Sequence, residues 1–277
     1  MDQWKDELEV ARAAARIGGA VAVEYFQKGL AADVKNATRE GSFNIVTRAD
    51  VEAERAVVEY VEKAFPGHAV YGEEGQGGAG DAEASLSSDD VWIVDPIDGT
   101  SNFFHGVPHF GISVAYYHKG EPAAGVVGCP LRDEWYSAVK GGGAYHKGRR
   151  LKVAPSPKLD EALVAFGYFY DRGAMMSATL DACREILYRK SHGLRRLGAA
   201  TLDLAYVASG VFGAFFEYEL APWDFAAGRL IVEEAGGRVT TCHGDPLPLA
   251  RSSVLASNGL IHDELVAIMN ECFVRNP

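Results

Sequence analysis

The residues of this chain best suited to chemistry are acids that close short apolar runs. Trp92-Ile93-Val94 leads directly into Asp95-Pro96-Ile97-Asp98-Gly99-Thr100-Ser101-Asn102. A strand therefore delivers a pair of carboxylates, then a glycine and hydroxyl residues able to open a helix. Pro96 and Gly99 predict a tight turn, in which Asp95 and Asp98 converge while the Gly99 and Thr100 amides face a phosphate. The same segment also reads as an Asx-type turn with a helix N-cap. Upstream, Tyr71-Gly72-Glu73-Glu74-Gly75 ends another apolar run, though adjacent glutamates equally mark a solvated edge. Downstream, Pro222-Trp223-Asp224-Phe225-Ala226-Ala227-Gly228 puts an acid at a helix start, where an N-cap is the ordinary role. Asp50, closing Phe43-Asn44-Ile45-Val46-Thr47-Arg48-Ala49-Asp50, reads as the N-cap of the helix that follows. Its chemical reading is as a partner of the Thr100 hydroxyl in orienting a water.

Together these acids say more than each does alone. Each lies at a strand end or helix start, where α/β proteins place their ligand sites. A carboxylate pair ~4 Å apart repels by about 4 kcal/mol at an effective dielectric of ~20, so a cluster of them calls for cations. All-oxygen donors favour Mg²⁺ or Mn²⁺ over zinc and leave room for waters and phosphate oxygens.

The elements that must position these acids follow from periodicity. An amphipathic pattern predicts a helix over Trp4–Gln27, and a second runs from about Asp50 to Phe65 before Pro66-Gly67 stops it. Apolar runs at Ala69–Tyr71, Val91–Val94, Phe110–Tyr117, Ala123–Cys129, Glu134–Val139 and Leu163–Gly167 predict strands. Helices are expected near Ala174–Leu187, Thr201–Ser209 and Asp224–Ala235, with strands at Phe212–Tyr218, Arg238–Thr241 and Val254–Ala256. A last helix spans Ile261–Val274, with Ser257 or Asn258 as its cap. This alternation is a layered α/β fold. Pro155-Ser156-Pro157 marks a boundary between an N-terminal subdomain, 1–154, and a C-terminal one, 155–277 carrying Glu217 and Asp224, unless it is a surface turn. The Gly- and Ser-rich stretch Gly75–Asp90 is a candidate lid or a loop without a role.

Composition narrows the partners. The 277 residues carry 38 acids against 27 Lys and Arg, a formal charge of −11, which disfavours nucleic acid and anionic membrane. Hydrophobic residues make up 48%, enough for a substantial core. No run reaches the ~18 apolar residues of a membrane span, and the first residues do not read as a signal peptide, so the expected location is cytoplasmic. Cys129, Cys183, Cys242 and Cys272 are scattered and read as reduced packing residues.

With these motifs in order, the chain closely resembles the inositol monophosphatase family, lithium-sensitive metal-dependent phosphatases, over nearly its full length. The resemblance rests on Val-Thr-x-x-Asp ending at Asp50, Gly72-Glu73-Glu74, Asp95-Pro96-Ile97-Asp98-Gly99-Thr100 and Trp223-Asp224-x-Ala-Ala-Gly. It implies an αβαβα sandwich of five layers, assembled as a homodimer. It also implies that Glu73, Asp95 and the Ile97 carbonyl hold a first Mg²⁺, that Asp95, Asp98 and Asp224 hold a second, and that a further, weaker ion uses Glu73. Thr100 with Asp50 would position and help deprotonate a metal-bound water for in-line attack on phosphorus, and Glu73 would share in catalysis. Asp98, Gly99, Thr100, Gly198, Ala199, Ala200, Glu217 and Asp224 would contact substrate, with Glu217 accepting from inositol hydroxyls. The chain departs from the family at Ala199, where Ser or Thr is common. Either Lys35 or Arg39 would supply the basic residue often found near the metals.

The implied activity is hydrolysis of a small phosphate monoester, first of all myo-inositol monophosphate, by a Mg²⁺-dependent and Li⁺-inhibited enzyme. Fructose 1,6-bisphosphate, histidinol phosphate and an adenosine bisphosphate are alternatives that keep the chemistry. A non-catalytic metal-binding regulator is a different class, and turnover of any phosphomonoester separates it from the others.

Overall fold

A computed structural model describes residues 3–29, 48–75, 77, 85–168 and 172–275. Its first helices, α1 (Lys5–Gln27) and α2 (Arg48–Ala64), lie side by side on one face of a seven-stranded sheet. Ala11, Ala14, Ala15 and Ala22 form the buried stripe of α1, and small residues at this spacing let the helix lie close to the sheet. Ala53, Val57 and Val61 do the same for α2.

The large sheet contains β1 (Ala69–Gly72), β2 (Asp90–Asp98), β3 (Gly111–His118), β4 (Glu121–Cys129), β5 (Glu134–Val139), β6 (Gly143–His146) and β7 (Arg149–Arg150), in that spatial order. Only its first pair, β1 with β2, is parallel. Side chains alternate across it: Trp92 and Val94 pack toward α1 and α2, whereas Val91 and Ile93 face the interior of the molecule. Both faces are covered, which explains why β2 to β4 read as nearly continuous apolar runs. A short helix, α3 (Thr100–Phe104), follows β2 directly.

A second sheet has five strands in the order β11-β12-β10-β8-β9, from β8 (Leu163–Phe166), β9 (Gly193–Arg195), β10 (Ala214–Leu220), β11 (Arg238–Thr240) and β12 (Ser252–Ser257). Between the sheets lie α5 (Ala200–Ala208) and α6 (Pro222–Glu234), which contact strands of both. The outer face of the second sheet carries α4 (Ala174–Tyr188) and α7 (His262–Val274). The layers are thus helix, sheet, helix, sheet, helix, as the resemblance implies. The main core fills the middle layer, with Leu204, Phe225 and Ile231 from the helices against Tyr117, Val127 and Phe215 from the two sheets.

Several local readings change. The helix expected from Asp50 is already helical at Arg48, which places Asp50 inside the first turn rather than at a cap. α6 begins at Pro222, and Asp224 is its third residue, where its Oδ2 accepts the Ala221 amide at 2.7 Å. This is the returning half of a capping box, so Asp224 is not an N-cap. Asn258 accepts the amides of Leu260 and Ile261, but the residue capping α7 is Ile261, without a side-chain bond. β6, β7 and β9 went unread because strands of two to four residues carry too little alternation.

Candidate active site

The pair Asp95 and Asp98 is held by a β-bulge, not by a turn beyond the strand. β2 stays paired with β3 through both residues, Asp95 opposite Ser113 and Asp98 opposite Gly111, with an extra residue between. Pro96, which cannot donate to a ladder, is accommodated in that irregularity. Asp95 Oδ1 accepts the Ile97 amide at 3.1 Å. Gly99 then turns with φ 88°, where a Cβ would lie 2.8 Å from the Gly198 carbonyl oxygen, so this residue has to be glycine.

The motifs of Glu73, of Asp95 to Thr100 and of Asp224 contribute to one cavity of about 200 Å³, and Asp50 stands behind it through Thr100. Carboxylate oxygens of Asp95, Asp98 and Asp224 come within 4.8 Å of one another. Glu73 lines the same cavity and is, after burial, the largest charge influence on Asp95, although it stands outside that closest group. The Thr100 hydroxyl lies 3.1 Å from the Ile97 carbonyl oxygen and 3.4 Å from Asp50 Oδ1, and Asp50 is buried. Gly198, Ala199, Ala200 and Glu217 all line the same cavity, Gly198 and Ala199 directly against Gly99. Lys35, Arg39, Phe43–Thr47 and half of the candidate lid lie outside the described residues.

A second bulge lies in the cavity lining at Glu217. β10 pairs Glu217 with Val254 and Leu220 with Ser252, again with an extra residue between. Glu217 is buried and faces Gly167, where a Cβ would collide with its carboxylate at 1.8 Å. The glycine makes room for the acid.

The electrostatics are those of crowded, dehydrated acids. Burial, and then neighbouring carboxylates, raise Glu73 and Asp95 well above the usual range. Burial pushes Asp98 up to about 6, opposed by hydrogen bonds from Thr201, whose amide and hydroxyl donate to Oδ2 at 2.7 and 2.6 Å. Asp224 is raised to about 7 by burial and then by Asp98. Burial and Asp224 raise Glu217, with Arg196 opposing. Asp95 Oδ2 is buried with no hydrogen-bond partner. Unpaired, mutually repelling oxygens of this kind fit a hard divalent cation, which would satisfy the orphan and reverse the local potential.

Two roles were not legible beforehand. Ala199 occupies the N-cap of α5 without a side-chain bond, and Asp98 caps that helix from the other sheet through Thr201. Asp203, on the same helix, is also buried and lines the cavity. A lone acid in the apolar run Ala-Thr-Leu-Asp-Leu-Ala-Tyr-Val-Ala was the available signal. A larger hollow, about 460 Å³ and lined by Arg12, Arg16 and Trp135, holds Asp133 but no acid cluster and is remote from these residues.

An αβαβα sandwich with acids from both sheets around one cavity defines a metal-site architecture of the phosphatase type. The chain matches the inositol monophosphatase family over residues 3–273. It is 42% identical over 219 residues to an inositol-1-monophosphatase of Rhizobium meliloti, covering 79% of this chain and 80% of the relative. It is 38% identical over 239 residues to a fructose-1,6-bisphosphatase/inositol-1-monophosphatase of Thermotoga maritima, covering 86% and 88%. A solved Thermotoga maritima IMPase superposes with a TM-score of 0.83 at 34% identity, covering 100% of both chains. The chain belongs to the inositol monophosphatase family and is a phosphoric monoester hydrolase that acts on small phosphate substrates. Among the described residues no helix is long and apolar enough to cross a membrane.

Proposed function

We propose that the chain hydrolyses myo-inositol monophosphate to inositol and phosphate with Mg²⁺ held by Glu73, Asp95, Asp98, Asp224 and the Ile97 carbonyl. The observation that carries this reading is the group of Asp95, Asp98 and Asp224 oxygens with its buried, unpartnered Asp95 Oδ2. Mg²⁺ bound there supplies positive charge to the phosphoryl and leaving oxygens and acidifies water. Thr100 donates its hydroxyl proton toward Asp50 and so presents a lone pair that orients the attacking water. Asp50 takes up the water's proton through Thr100, attack proceeds in line without a phosphoenzyme as the ester P–O bond breaks, and the departing alkoxide takes a proton from solvent water to leave as the alcohol. Among the residues lining the cavity, Gly99 and Thr100 would face the phosphate and Gly198, Ala199, Ala200 and Glu217 the alcohol. Li⁺ competes for this centre and inhibits. A homodimer belongs to the same reading, with exposed Leu180, Leu187 and Tyr188 on α4 as apolar surface for it. So does the division at 154/155, which falls between the last strand of one sheet and the first of the other.

A second reading keeps the chemistry and changes the alcohol to fructose 1,6-bisphosphate. It is favoured by Arg196 and Arg251, both lining the cavity, as cations for a second phosphate. Phosphate release from inositol 1-phosphate, fructose 1,6-bisphosphate, histidinol phosphate and an adenosine bisphosphate, compared as kcat/KM in Mg²⁺, decides between them. A lead of about tenfold or more for inositol 1-phosphate is expected; the same lead for another compound removes the first reading.

A further inference from the structure

Asp203 is a buried carboxylate that the fold does not use. It is 1% exposed, lies one turn into α5, and its Oδ1 has no hydrogen-bond partner. Burying such a group unpaired is costly, and it persists where a ligand or function compensates it. The other polar residue of the helix's cavity end, Thr201, is satisfied by Asp98. Burial and then the Asp98 charge raise Asp203 well above the usual carboxylate range, Arg196 opposing only in part, and the Arg196 guanidinium rests over the Tyr168 ring, 4.7 Å from the centroid. The Asp203 Oδ1 is thus left without a partner inside the fold.

The surroundings say what would complete it. The Asp203 amide donates to the Ala199 carbonyl at 3.0 Å, so the two residues sit one turn apart on the same face of the helix. Both residues line the cavity, and the Ala199 methyl group offers Asp203 no hydrogen bond. Glu217 faces the same space from β10 and is the other acid there outside the metal group. An unpartnered carboxyl oxygen in a pocket already crowded with acids disfavours a second phosphate and suits a hydroxyl donor.

Resting on the phosphatase reading of this cavity, we propose that Asp203 is a substrate-binding residue that accepts a hydrogen bond from a free hydroxyl of the leaving alcohol. With Glu217 it forms a two-sided polyol cradle. The substrate class is therefore a phosphate monoester whose alcohol carries hydroxyls on either side of the ester, not a bare alkyl or aryl phosphate.

The test compares wild type, Asp203→Asn and Asp203→Ala on inositol 1-phosphate and on 4-nitrophenyl phosphate, which has no free hydroxyl. For Asp203→Ala, KM for inositol 1-phosphate should rise about tenfold or more with kcat within about twofold, and 4-nitrophenyl phosphate should be unaffected. Asp203→Asn, which keeps a carbonyl acceptor, should fall between. Relief of an unpaired buried charge should leave melting temperatures at or above wild type. Equal losses on both substrates, no loss on either, or variants that fail to fold would overturn the assignment. Wild type that cleaves 4-nitrophenyl phosphate but not inositol 1-phosphate defeats the inositol reading alone; the comparison then uses the fastest polyol phosphate, and the absence of any defeats the cradle as well.

Discussion

The two sheets meet the cavity through the same device and use it differently. In the large sheet the bulge between Asp95 and Asp98 sets carboxylates beside those of Glu73 and Asp224, a geometry suited to metal and phosphate. In the small sheet the bulge between Glu217 and Leu220 accompanies a single buried acid against a bare glycine, a geometry suited to an alcohol. Bulges break a ladder without ending it, and so place functional groups on rigid backbone. On the proposed reading, reaction and specificity are separable here: the large-sheet acids would carry the chemistry and the small-sheet acid the choice of alcohol.

Asp95→Asn should break the chemistry most severely. Removing one charge from the metal group while keeping its shape is expected to lower kcat/KM by about 10³-fold or more on every phosphate ester, at unchanged fold by circular dichroism. Glu217→Gln probes the choice of alcohol. We expect a loss of about 10- to 100-fold on inositol 1-phosphate and little change on 4-nitrophenyl phosphate, which kinetics on both substrates will show.

A pH experiment on metal-stripped protein tests the electrostatic basis of the comparison. Asp98 and Asp224 have folded values of about 6 and about 7, both raised by burial above their unfolded range. The folded state therefore binds more protons than the unfolded one between about pH 4 and 7, and stability falls as pH rises through that window. Melting temperatures of the stripped protein should be lower at pH 8 than at pH 5, with Mg²⁺ restoring more at pH 8, where the acids are ionised. The smallest effect is expected from Ala199→Ser, which would ordinarily improve a helix N-cap by about 1 kcal/mol. Asp98 already occupies the Thr201 amide, so a change within about 0.5 kcal/mol in chemical denaturation is expected.

The large-sheet residues of the cavity were far more legible in the sequence than those around Glu217. Asp95, Asp98 and Thr100 lie within six consecutive residues, and the order of the motifs around them carries the family. The differences there are local: the bulge stands where the sequence predicts a turn, and Asp50 lies within the first turn of its helix where the sequence predicts a cap. Proline and glycine signal a break in backbone regularity, but whether a strand continues past it depends on the partner strand, here Gly111 opposite Asp98. Gly167, Arg196, Asp203 and Glu217 line the same cavity, and only the packing of α5 between the sheets brings them together. No spacing rule connects residues so far apart in the chain. Five layers, too, follow from tertiary packing and not from periodicity.

The central claim, a divalent-metal phosphatase centre at Asp95, Asp98 and Asp224, is tested most directly by phosphate release from inositol 1-phosphate in chelator-treated enzyme as Mg²⁺ is titrated back. Saturable recovery from near-zero activity, absent in Asp95→Asn, is the result expected. Full turnover in excess chelator, or an Asp95→Asn enzyme that works as well as wild type, would contradict it.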